Sequence, residues 1–376
     1  MFTGIGYTAR MLMVIFGAGA SFDSSPTYPF GSTPPGADAE EHHNAFNRPP
    51  LARELFANRP LFINTIDFFP QCKTIVPRLR APGVLSGDRS IETLLQEIEE
   101  EAKTYPRGRR ELAAVQCYIQ RAISDCQMRW RTATRGITNY LSLLREIERT
   151  NTADEPVCLV TFNYDTLLED ALRHFGYSFY QMNDYTERLE PFRVFKLHGS
   201  VDWGQIVENQ LPADVNPQHP ASVLTYLIDH AAELRVSNDF VLCGSSTMGV
   251  ANGRPVFPAI AIPVEKKNKF ACPQTLIEQL VAVLPQVSKI LVIGWRATEQ
   301  NFLNLLAHRL TGLRRGVQLY IVAGSQANAL ETRVRIYRAL LNNPPNSPYD
   351  SPNSSCDSGG FTDFLGSGHA KSFLEP

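Results

Sequence analysis

LMVIFGAGAS, at Leu12–Ser21, joins an apolar run to a glycine-rich loop. Its first half, Leu12–Phe16, is a compact apolar run of the kind found in a strand buried inside a parallel sheet. The run leads directly into Gly17-Ala18-Gly19-Ala20-Ser21, where small residues let the backbone approach a phosphate group at a helix N-terminus. The third glycine of the full dinucleotide fingerprint is missing, so a plain tight turn is the alternative.

Further strand-like runs follow along the chain, and most end in polar or glycine residues. They are Val157–Phe162, Arg193–Leu197, the weaker Val241–Cys243, Lys289–Ile293 and Gln318–Val322. Helical patterns between them are Thr166–Phe175, Gln274–Leu284 and Asn301–Leu310. This alternation predicts an α/β fold with a Rossmann-like parallel sheet and helices on both faces. Ligands of such sheets bind beyond the carboxyl ends of the strands.

The chain divides into a main domain, 1–341, and a tail, 342–376, by composition. Residues 51–150 have mostly helical patterns and predict a helical insertion lobe, with Ser90 as the N-cap of one helix. The segment from Ser24 to Pro50 is long for a loop and predicts a functional lid. The tail is rich in Pro, Ser and Asn and predicts a low-complexity segment, in which GFTDFL could dock back as a short helix.

Bulk composition excludes several classes of protein. The 36 basic and 38 acidic residues give a net charge of −2, which provides no general attraction to nucleic acid or to an anionic membrane. Apolar runs fall short of the roughly 18 residues of a membrane helix, and the N-terminal run lacks a signal-peptide cleavage site. The seven cysteines form no CxxC pair, so we expect a cytoplasmic protein without disulfides or zinc.

Two further motifs end successive strands. TFNYD contains Asn163, whose amide both donates and accepts hydrogen bonds and can orient a water molecule or a ribose hydroxyl. KLHGS contains His198, whose imidazole can take a proton near neutral pH. Alternatively, Asn163 caps the helix that begins at Thr166, and His198 is a hydrogen-bonded histidine of the core. Their positions at neighbouring strand ends favour a shared site.

The three motifs, in this order, resemble the sirtuin family. Thr161, Asn163 and Asp165 match its Thr-Gln-Asn-Ile-Asp motif, and His198 matches its His-Gly motif. Within that superfamily the chain looks most like the SIR2-like NADase domains of prokaryotic antiviral defence systems. The stretches that carry this resemblance, from about Met13 to Leu365, are FGAGAS, RPPLARELF, SIETLLQEI, TFNYD, KLHGSVDW, IPVEKKN, IGWRATEQNF and GFTDFL.

Departures from deacylating sirtuins bear on activity. The two zinc-binding CxxC pairs are absent, and FDSSPTYPFG stands where those enzymes have Gly-Ile-Pro-Asp-Phe-Arg. Phe162 replaces their Gln, and Gly294-Trp295-Arg296 corresponds to their Gly-Thr-Ser. An acyl-lysine tunnel is therefore not implied. The resemblance to the defence branch implies hydrolysis of NAD to nicotinamide and ADP-ribose, without a metal.

The resemblance also implies roles for individual residues. Asn163 would orient the attacking water, His198 would accept a proton, and Asp165 would hydrogen-bond the nicotinamide carboxamide. The predicted nucleotide-binding residues are Gly17, Ala18, Gly19, Ala20, Ser21, Asp23, Phe162, Asp165, Gly294, Arg296 and Glu299.

Several of these and neighbouring residues have alternative explanations. Asp23 could instead be a charge at a helix N-terminus, and Glu299 and Asn301 could cap a helix. Asp202-Trp203 could wall the pocket or belong to the core. A basic cluster at Lys266, Lys267 and Lys269 is typical of solvated surface, and the pair His42-His43 lacks further ligands at metal spacing.

The resemblance implies partners as well. Similar proteins are encoded beside a HerA-type ATPase, with which they form a ring complex; an Argonaute-type partner is the alternative. We expect a homo-oligomer that does not itself contact nucleic acid or membrane. Competing functions are a non-catalytic NAD or ADP-ribose sensor or scaffold, a deacylase, and a nuclease, for which the sequence offers no evident carboxylate cluster.

Overall fold

The computed structural model describes residues 11–26, 47–86, 89–150, 155–187, 190–243, 249–262, 270–310, 317–340 and 354–375. Of the predicted lid Ser24–Pro50, residues 27–46, including His42-His43, lie outside the described residues, as do Lys266, Lys267 and Lys269.

The described residues contain strands of two sheets and helices around them. The strands are β1 Met11–Phe16, β2 Val157–Thr161, β3 Phe192–Lys196, β4 Gly199–Val207, β5 Val236–Leu242, β6 Val250–Ala251, β7 Arg254–Ile260, β8 Val287–Ile293, β9 Gln318–Val322 and β10 Ser354–Asp357. The α-helices are α1 Ala18–Phe22, α2 Pro60–Asp67, α3 Val76–Leu79, α4 Pro82–Ser86, α5 Ile91–Thr104, α6 Pro106–Thr134, α7 Asn139–Thr150, α8 Leu167–Arg173, α9 Asn183–Thr186, α10 Pro220–Asp229, α11 Gln274–Val283, α12 Gln300–Arg309, α13 Gln326–Leu340, α14 Gly360–Gly366 and α15 His369–Leu374.

The larger sheet has six parallel strands in the order β3-β2-β1-β8-β9-β10. The strand order reverses between β1 and β8, which is the switch point where ligands of Rossmann-like sheets bind. The predicted α/β fold with a parallel sheet and a helical insertion is therefore confirmed. Its central strands are apolar along their whole length because helices cover both faces.

Register brings the ends of four strands to one level. Phe16 at the end of β1 pairs with Thr161 of β2 on one side and with Ile293 of β8 on the other. Thr161 in turn pairs with Lys196 at the end of β3. Each motif singled out in the sequence follows one of these ends, so the sheet presents them together along one edge.

The second sheet is antiparallel, with the strand order β5-β4-β7-β6. The sequence analysis did not anticipate it. Val241–Cys243, predicted as a weak strand of the parallel sheet, instead overlaps the end of β5 in this sheet, which is a correction. Because β5 is largely half-buried or exposed, it lacks the continuous apolar run that marks the parallel strands.

Helix α6 ties the helical lobe to both sheets. It has 29 residues and lies within the stretch 51–150 that was predicted to be mostly helical. The Gln116 side chain donates to carbonyls of β7, and Gln120 donates to the Val201 carbonyl of β4 at 2.8 Å. Gln127 accepts a hydrogen bond from the backbone of Thr166 at 2.8 Å, just before α8. The lobe is thus hydrogen-bonded to the chain that leaves the end of β2.

The C-terminal part of the chain completes the parallel sheet. Strand β10 pairs with β9, and α14 and α15 pack against α7, with the rings of Phe361 and Phe364 buried. The prediction of a low-complexity tail from 342 to 376 therefore does not describe residues 354–375, where buried aromatic rings stabilise regular elements. GFTDFL forms α14.

None of the helices in the described residues combines the length and apolar character that crossing a membrane requires.

Candidate functional site

Glycines let two strand-end loops cross at van der Waals distance. The Gly17 amide donates to the Ile293 carbonyl at 3.0 Å, and the Gly19 amide donates to the Gly294 carbonyl at 3.1 Å. A Cβ atom on Gly17 would lie 2.5 Å from the Cα atom of Trp295. Gly294 has a φ of +61°, and a Cβ there would lie 2.3 Å from the Ala20 amide nitrogen. These glycines are required by the crossing of the β1 and β8 loops, whatever the loops bind.

This crossing restricts how the glycine loop can bind a phosphate. The amides of Gly17 and Gly19 donate to the β8 end, and the Ala20 amide donates to the Gly17 carbonyl at 2.9 Å. Ala18 is the exposed residue of the loop. A phosphate group would therefore meet the loop at Ala18, rather than at all five predicted amides.

Asn163 is fixed by the glycine loop and by a tyrosine. Its Nδ2 atom lies 2.9 Å from the Gly17 carbonyl oxygen, 2.9 Å from Ser21 Oγ and 3.0 Å from Tyr140 Oη. Its Oδ1 atom is buried and has no hydrogen-bond partner among the described residues. Asn163 does not cap α8. The hydrogen bond to the first turn of that helix comes from Asp165, whose Oδ1 accepts from the Leu167 amide at 3.1 Å.

Asp165 is buried beside Asn163. Burial raises the pKa of its carboxyl group, and the positive charge of Lys196 and a hydrogen bond from Ser21 partly offset this effect. The Lys196 ammonium also donates to the Asp165 carbonyl oxygen.

Behind the strand ends lies a buried ion pair that the sequence analysis did not identify. Lys196 Nζ and Glu169 Oε1 are 3.0 Å apart, and their side chains are 1% and 0% exposed. The Tyr185 hydroxyl donates to Glu169 Oε1 at 3.0 Å. The pair joins the end of β3 to α8 beneath Asp165. Its only sequence signal is a lysine at the end of an apolar strand, a position that is usually uncharged when buried.

His198 follows β3 and lies among aromatic rings. The centroid of its ring is 4.8 Å from that of Phe162 and 6.4 Å from that of Tyr164. Phe162 stacks on Trp295, with centroids 5.2 Å apart and an interplanar angle of 10°. Since Thr161 and Lys196 are paired in register, Asn163 and His198 each stand two residues beyond paired positions. The structure therefore places both predicted catalytic residues at the same edge of the sheet.

The remaining predicted binding residues are divided between internal contacts and the surface. Asp23 accepts hydrogen bonds from the Thr362 amide at 3.0 Å and from its hydroxyl at 2.8 Å, at the N-terminal turn of α14. Glu299 accepts from the Trp295 indole at 2.5 Å. Arg296 is exposed on the same loop. The carboxylates of Asp23 and Glu299 thus have partners within the protein, and Arg296 remains the exposed charge near the Gly294 turn.

The residues after HGS are structural. Trp203 is fully buried and packs edge-on against Tyr185, with ring centroids 4.9 Å apart, as the alternative of a core tryptophan predicts. Asp202 accepts a hydrogen bond from Ser200 at 2.5 Å. Asn301 lies in the first turn of α12.

Tyr140 is the residue of this site that the sequence analysis missed. It lies near the start of α7, and its hydroxyl oxygen is 2.8 Å from Ser21 Oγ. In the sequence it is one of several large residues on the apolar face of a helix. No motif marks it, because its partners are distant in the chain.

The part of the chain that the structure describes contains no group of three or more His, Cys, Asp or Glu side chains that could hold a metal ion.

Comparisons with known proteins give one family match. Residues 157–214 match the family model of the SIR2-like domain, and this segment contains Asn163, Asp165 and His198. A search of curated proteins finds no match to the chain.

Solved structures with some similarity carry Sir2 names. A mutant Sir2 homologue in complex with 2'-O-acetyl ADP ribose has 12% identity and a TM-score of 0.43, covering 98% of this chain and 96% of that chain. A Sir2 homologue–NAD complex has 13% identity and a TM-score of 0.38, with 97% and 91% covered. A Sir2 complex with a p53 peptide and NAD+ has 12% identity and a TM-score of 0.36, with 96% and 93% covered. At TM-scores below 0.5 these likenesses say nothing about individual residues.

Proposed function

We propose that this protein is an NAD+ glycohydrolase, which converts NAD+ and water to nicotinamide, ADP-ribose and a proton. The observation that carries the proposal is the buried Asn163 Oδ1 atom, which has no hydrogen-bond partner among the described residues. Its amide is held in place at the carboxyl end of β2, at the sheet edge that also carries His198. The surrounding segment, residues 157–214, matches the family model of the SIR2-like domain.

The chemistry follows from the two side chains. Nicotinamide leaves as a neutral base and leaves a positively charged, oxocarbenium-like ribose. The free Oδ1 atom of Asn163 accepts a hydrogen bond from the attacking water and so orients it. His198 takes a proton from that water or from a ribose hydroxyl. Asp165 hydrogen-bonds the carboxamide of the nicotinamide ring.

The biological role that we propose is defence against phage. NAD depletion in an infected cell would halt the replication of the phage and also the growth of the cell. What supports this proposal is the resemblance of sequence stretches such as FGAGAS, TFNYD and KLHGSVDW to those of SIR2-like defence proteins. By the same resemblance, we propose that the chain forms a homo-oligomer in the cytoplasm and is activated in a complex, with a HerA-type ATPase as the first partner to test and an Argonaute-type protein as the second.

A second candidate is a non-catalytic NAD or ADP-ribose sensor. The observation that favours it is burial: Asn163 is 6% exposed and His198 is 3% exposed. A ligand can reach groups that are so buried only after a rearrangement, as expected of a protein that changes shape on binding.

The experiment that separates the two candidates is nicotinamide release. The purified protein is incubated with NAD+, alone and with the product of the adjacent gene, and products are resolved by chromatography. Binding of NAD+ is measured in parallel by calorimetry. Release of nicotinamide and ADP-ribose in equal amounts supports the hydrolase. Binding without release in both conditions contradicts it and favours the sensor.

A further inference from the structure

Tyr140 belongs to α7, yet its hydroxyl lies among the groups at the end of β2. Its ring is 1% exposed and packs between Phe16, with centroids 5.0 Å apart, and Phe361 of α14, with centroids 5.8 Å apart in an edge-on contact. Rings from β1 and from α14 therefore hold the phenol in one place. A phenol fixed in this way can fix the groups that it contacts.

The hydroxyls of Tyr140 and Ser21 and the Asn163 amide form one hydrogen-bonded cluster. Tyr140 Oη and Ser21 Oγ are 2.8 Å apart, and either hydroxyl can be the donor. The two protons of Asn163 Nδ2 have three oxygens within reach: the Gly17 carbonyl at 2.9 Å, Ser21 Oγ at 2.9 Å and Tyr140 Oη at 3.0 Å. Tyr140 thus contacts both the amide and the hydroxyl beside it, and the bonds of such a cluster strengthen one another.

This cluster favours one orientation of the Asn163 amide. Rotating the amide by half a turn would place Oδ1 against the Gly17 carbonyl oxygen, which cannot donate, and would remove the hydrogen bonds that Nδ2 gives to Ser21 and Tyr140. The amide is therefore held with Oδ1 directed away from this cluster, where it has no partner among the described residues. A buried carbonyl oxygen without a donor is costly, so this atom is poised to accept from water or from a sugar hydroxyl.

We propose that Tyr140 is a positioning residue for the reaction proposed above. Its hydroxyl holds the Asn163 amide so that Oδ1 is presented to the water that attacks the ribose. The inference rests on the proposed function for its effect on turnover, but the orientation of the amide can be measured without turnover. Burial keeps the phenol a donor, because it raises the Tyr140 pKa well above its ordinary value.

The test compares Tyr140→Phe with Tyr118→Phe as a matched control. Tyr118 is also buried, and its hydroxyl donates to the Leu55 carbonyl at 2.6 Å, within the helical lobe. Tyr140→Phe is expected to lower kcat for nicotinamide release about 10-fold with KM for NAD+ changed less than about twofold, because the amide loses its alignment. Tyr118→Phe is expected to keep the wild-type kcat. Ser21→Ala removes the other hydroxyl of the cluster, which contacts both Asn163 Nδ2 and Tyr140 Oη, and is expected to lower kcat in the same way.

The orientation itself is read by nuclear magnetic resonance on protein labelled with ¹⁵N-asparagine. The side-chain amide signal of Asn163 is identified by its loss in Asn163→Ala. We expect Tyr140→Phe to shift this signal and to speed its hydrogen exchange at least several-fold, and Tyr118→Phe to leave it unchanged. An unchanged Asn163 signal in folded Tyr140→Phe overturns the inference, as does an unchanged kcat. If the wild-type protein releases no nicotinamide, the hydrolase proposal fails, and the amide signal alone still decides whether Tyr140 holds Asn163.

Discussion

Asn163 and His198 occupy equivalent positions at the ends of neighbouring strands, but their surroundings differ. Three oxygen atoms, from Gly17, Ser21 and Tyr140, surround the amide nitrogen of Asn163. The His198 ring instead contacts the ring of Phe162, which stacks on Trp295. One side of the site is thus a polar network, and the other is an aromatic layer.

The difference matches what each group has to do. An amide acts through the direction of its oxygen, so it needs hydrogen bonds that exclude the flipped orientation. An imidazole that moves a proton needs a fixed ring and little competing water, which packing against aromatic rings provides. The comparison predicts that the Asn163 side is sensitive to single hydroxyl groups and that the His198 side is sensitive to ring shape.

The largest effect is expected on removing the imidazole. His198→Ala should lower kcat for nicotinamide release at least about 100-fold, since it removes the group that accepts the proton. Stability should change little relative to this loss, because the aromatic rings of Phe162 and Trp295 remain stacked. The measurement is chromatography of nicotinamide together with the melting temperature. Retention of wild-type turnover in a folded variant would show that the aromatic side contains no catalytic group.

A smaller effect is expected on changing the shape of the aromatic layer. Phe162→Leu removes the ring that separates His198 from Trp295, and should lower kcat about 5- to 10-fold as the imidazole loses its alignment. It should also cost about 1–2 kcal/mol of unfolding free energy from lost packing. Both are measured, by nicotinamide release and by urea denaturation.

Phe192→Leu is the control for that substitution. Phe192 is buried on β3 and packs against Phe175 and Tyr177, with centroids 5.7 Å and 6.0 Å away. We expect a similar loss of stability with unchanged kcat. Equal losses of kcat in the two variants would mean that ring shape acts only through general stability.

The smallest effect concerns a carboxyl group behind the His198 side. Burial, followed by the negative charge of Glu169, raises the pKa of Asp202. The folded protein then binds this proton more tightly than the unfolded chain. The stability that Asp202 contributes is present in full below its unfolded pKa, near 4, and is lost as the pH rises through its folded pKa.

The variant Asp202→Asn has no carboxyl group to ionise, so its stability does not fall as the pH rises through the folded pKa of Asp202. Its side chain keeps an oxygen that can accept the hydrogen bond from Ser200. We expect the variant to melt about 2 °C higher than the wild type at pH 8, with the difference shrinking as the pH is lowered to 4. Asp214→Asn, at an exposed position, serves as the control and should show no such trend. A variant that is destabilised equally at both pH values would refute the assignment of a raised pKa.

The parallel sheet could be predicted from sequence because its strands are continuous apolar runs. The observed bounds of β9 are those predicted from the sequence. The observed bounds of β2, β3 and β8 differ from the predicted ones by two residues or fewer at each end. The antiparallel sheet was missed because β5 is partly exposed and because β4, although mostly buried, mixes Gly, Ser, Asp and Gln with its apolar residues. The final strand was missed because β10, Ser354–Asp357, has an unremarkable polar composition and gains its structure by pairing with β9.

The site was predictable to the extent that it follows strand ends. Asn163 and His198 come together because the sheet register requires it. The hydrogen-bond partners of Asn163 and Asp23 could not be predicted from the sequence, because these bonds join distant parts of the chain. Ser21 and Tyr140 are 119 residues apart, and Asp23 and Thr362 are 339 residues apart. No local pattern encodes such contacts.

The most direct test of the account is the rate of nicotinamide release by Asn163→Ala at saturating NAD+, compared with the wild-type protein. We predict that the wild-type protein releases nicotinamide and ADP-ribose in equal amounts. We predict that Asn163→Ala still binds NAD+ but has a kcat at least about 100-fold lower. Equal rates for the two proteins would contradict the account, because the water that attacks the ribose would then not depend on the Asn163 amide.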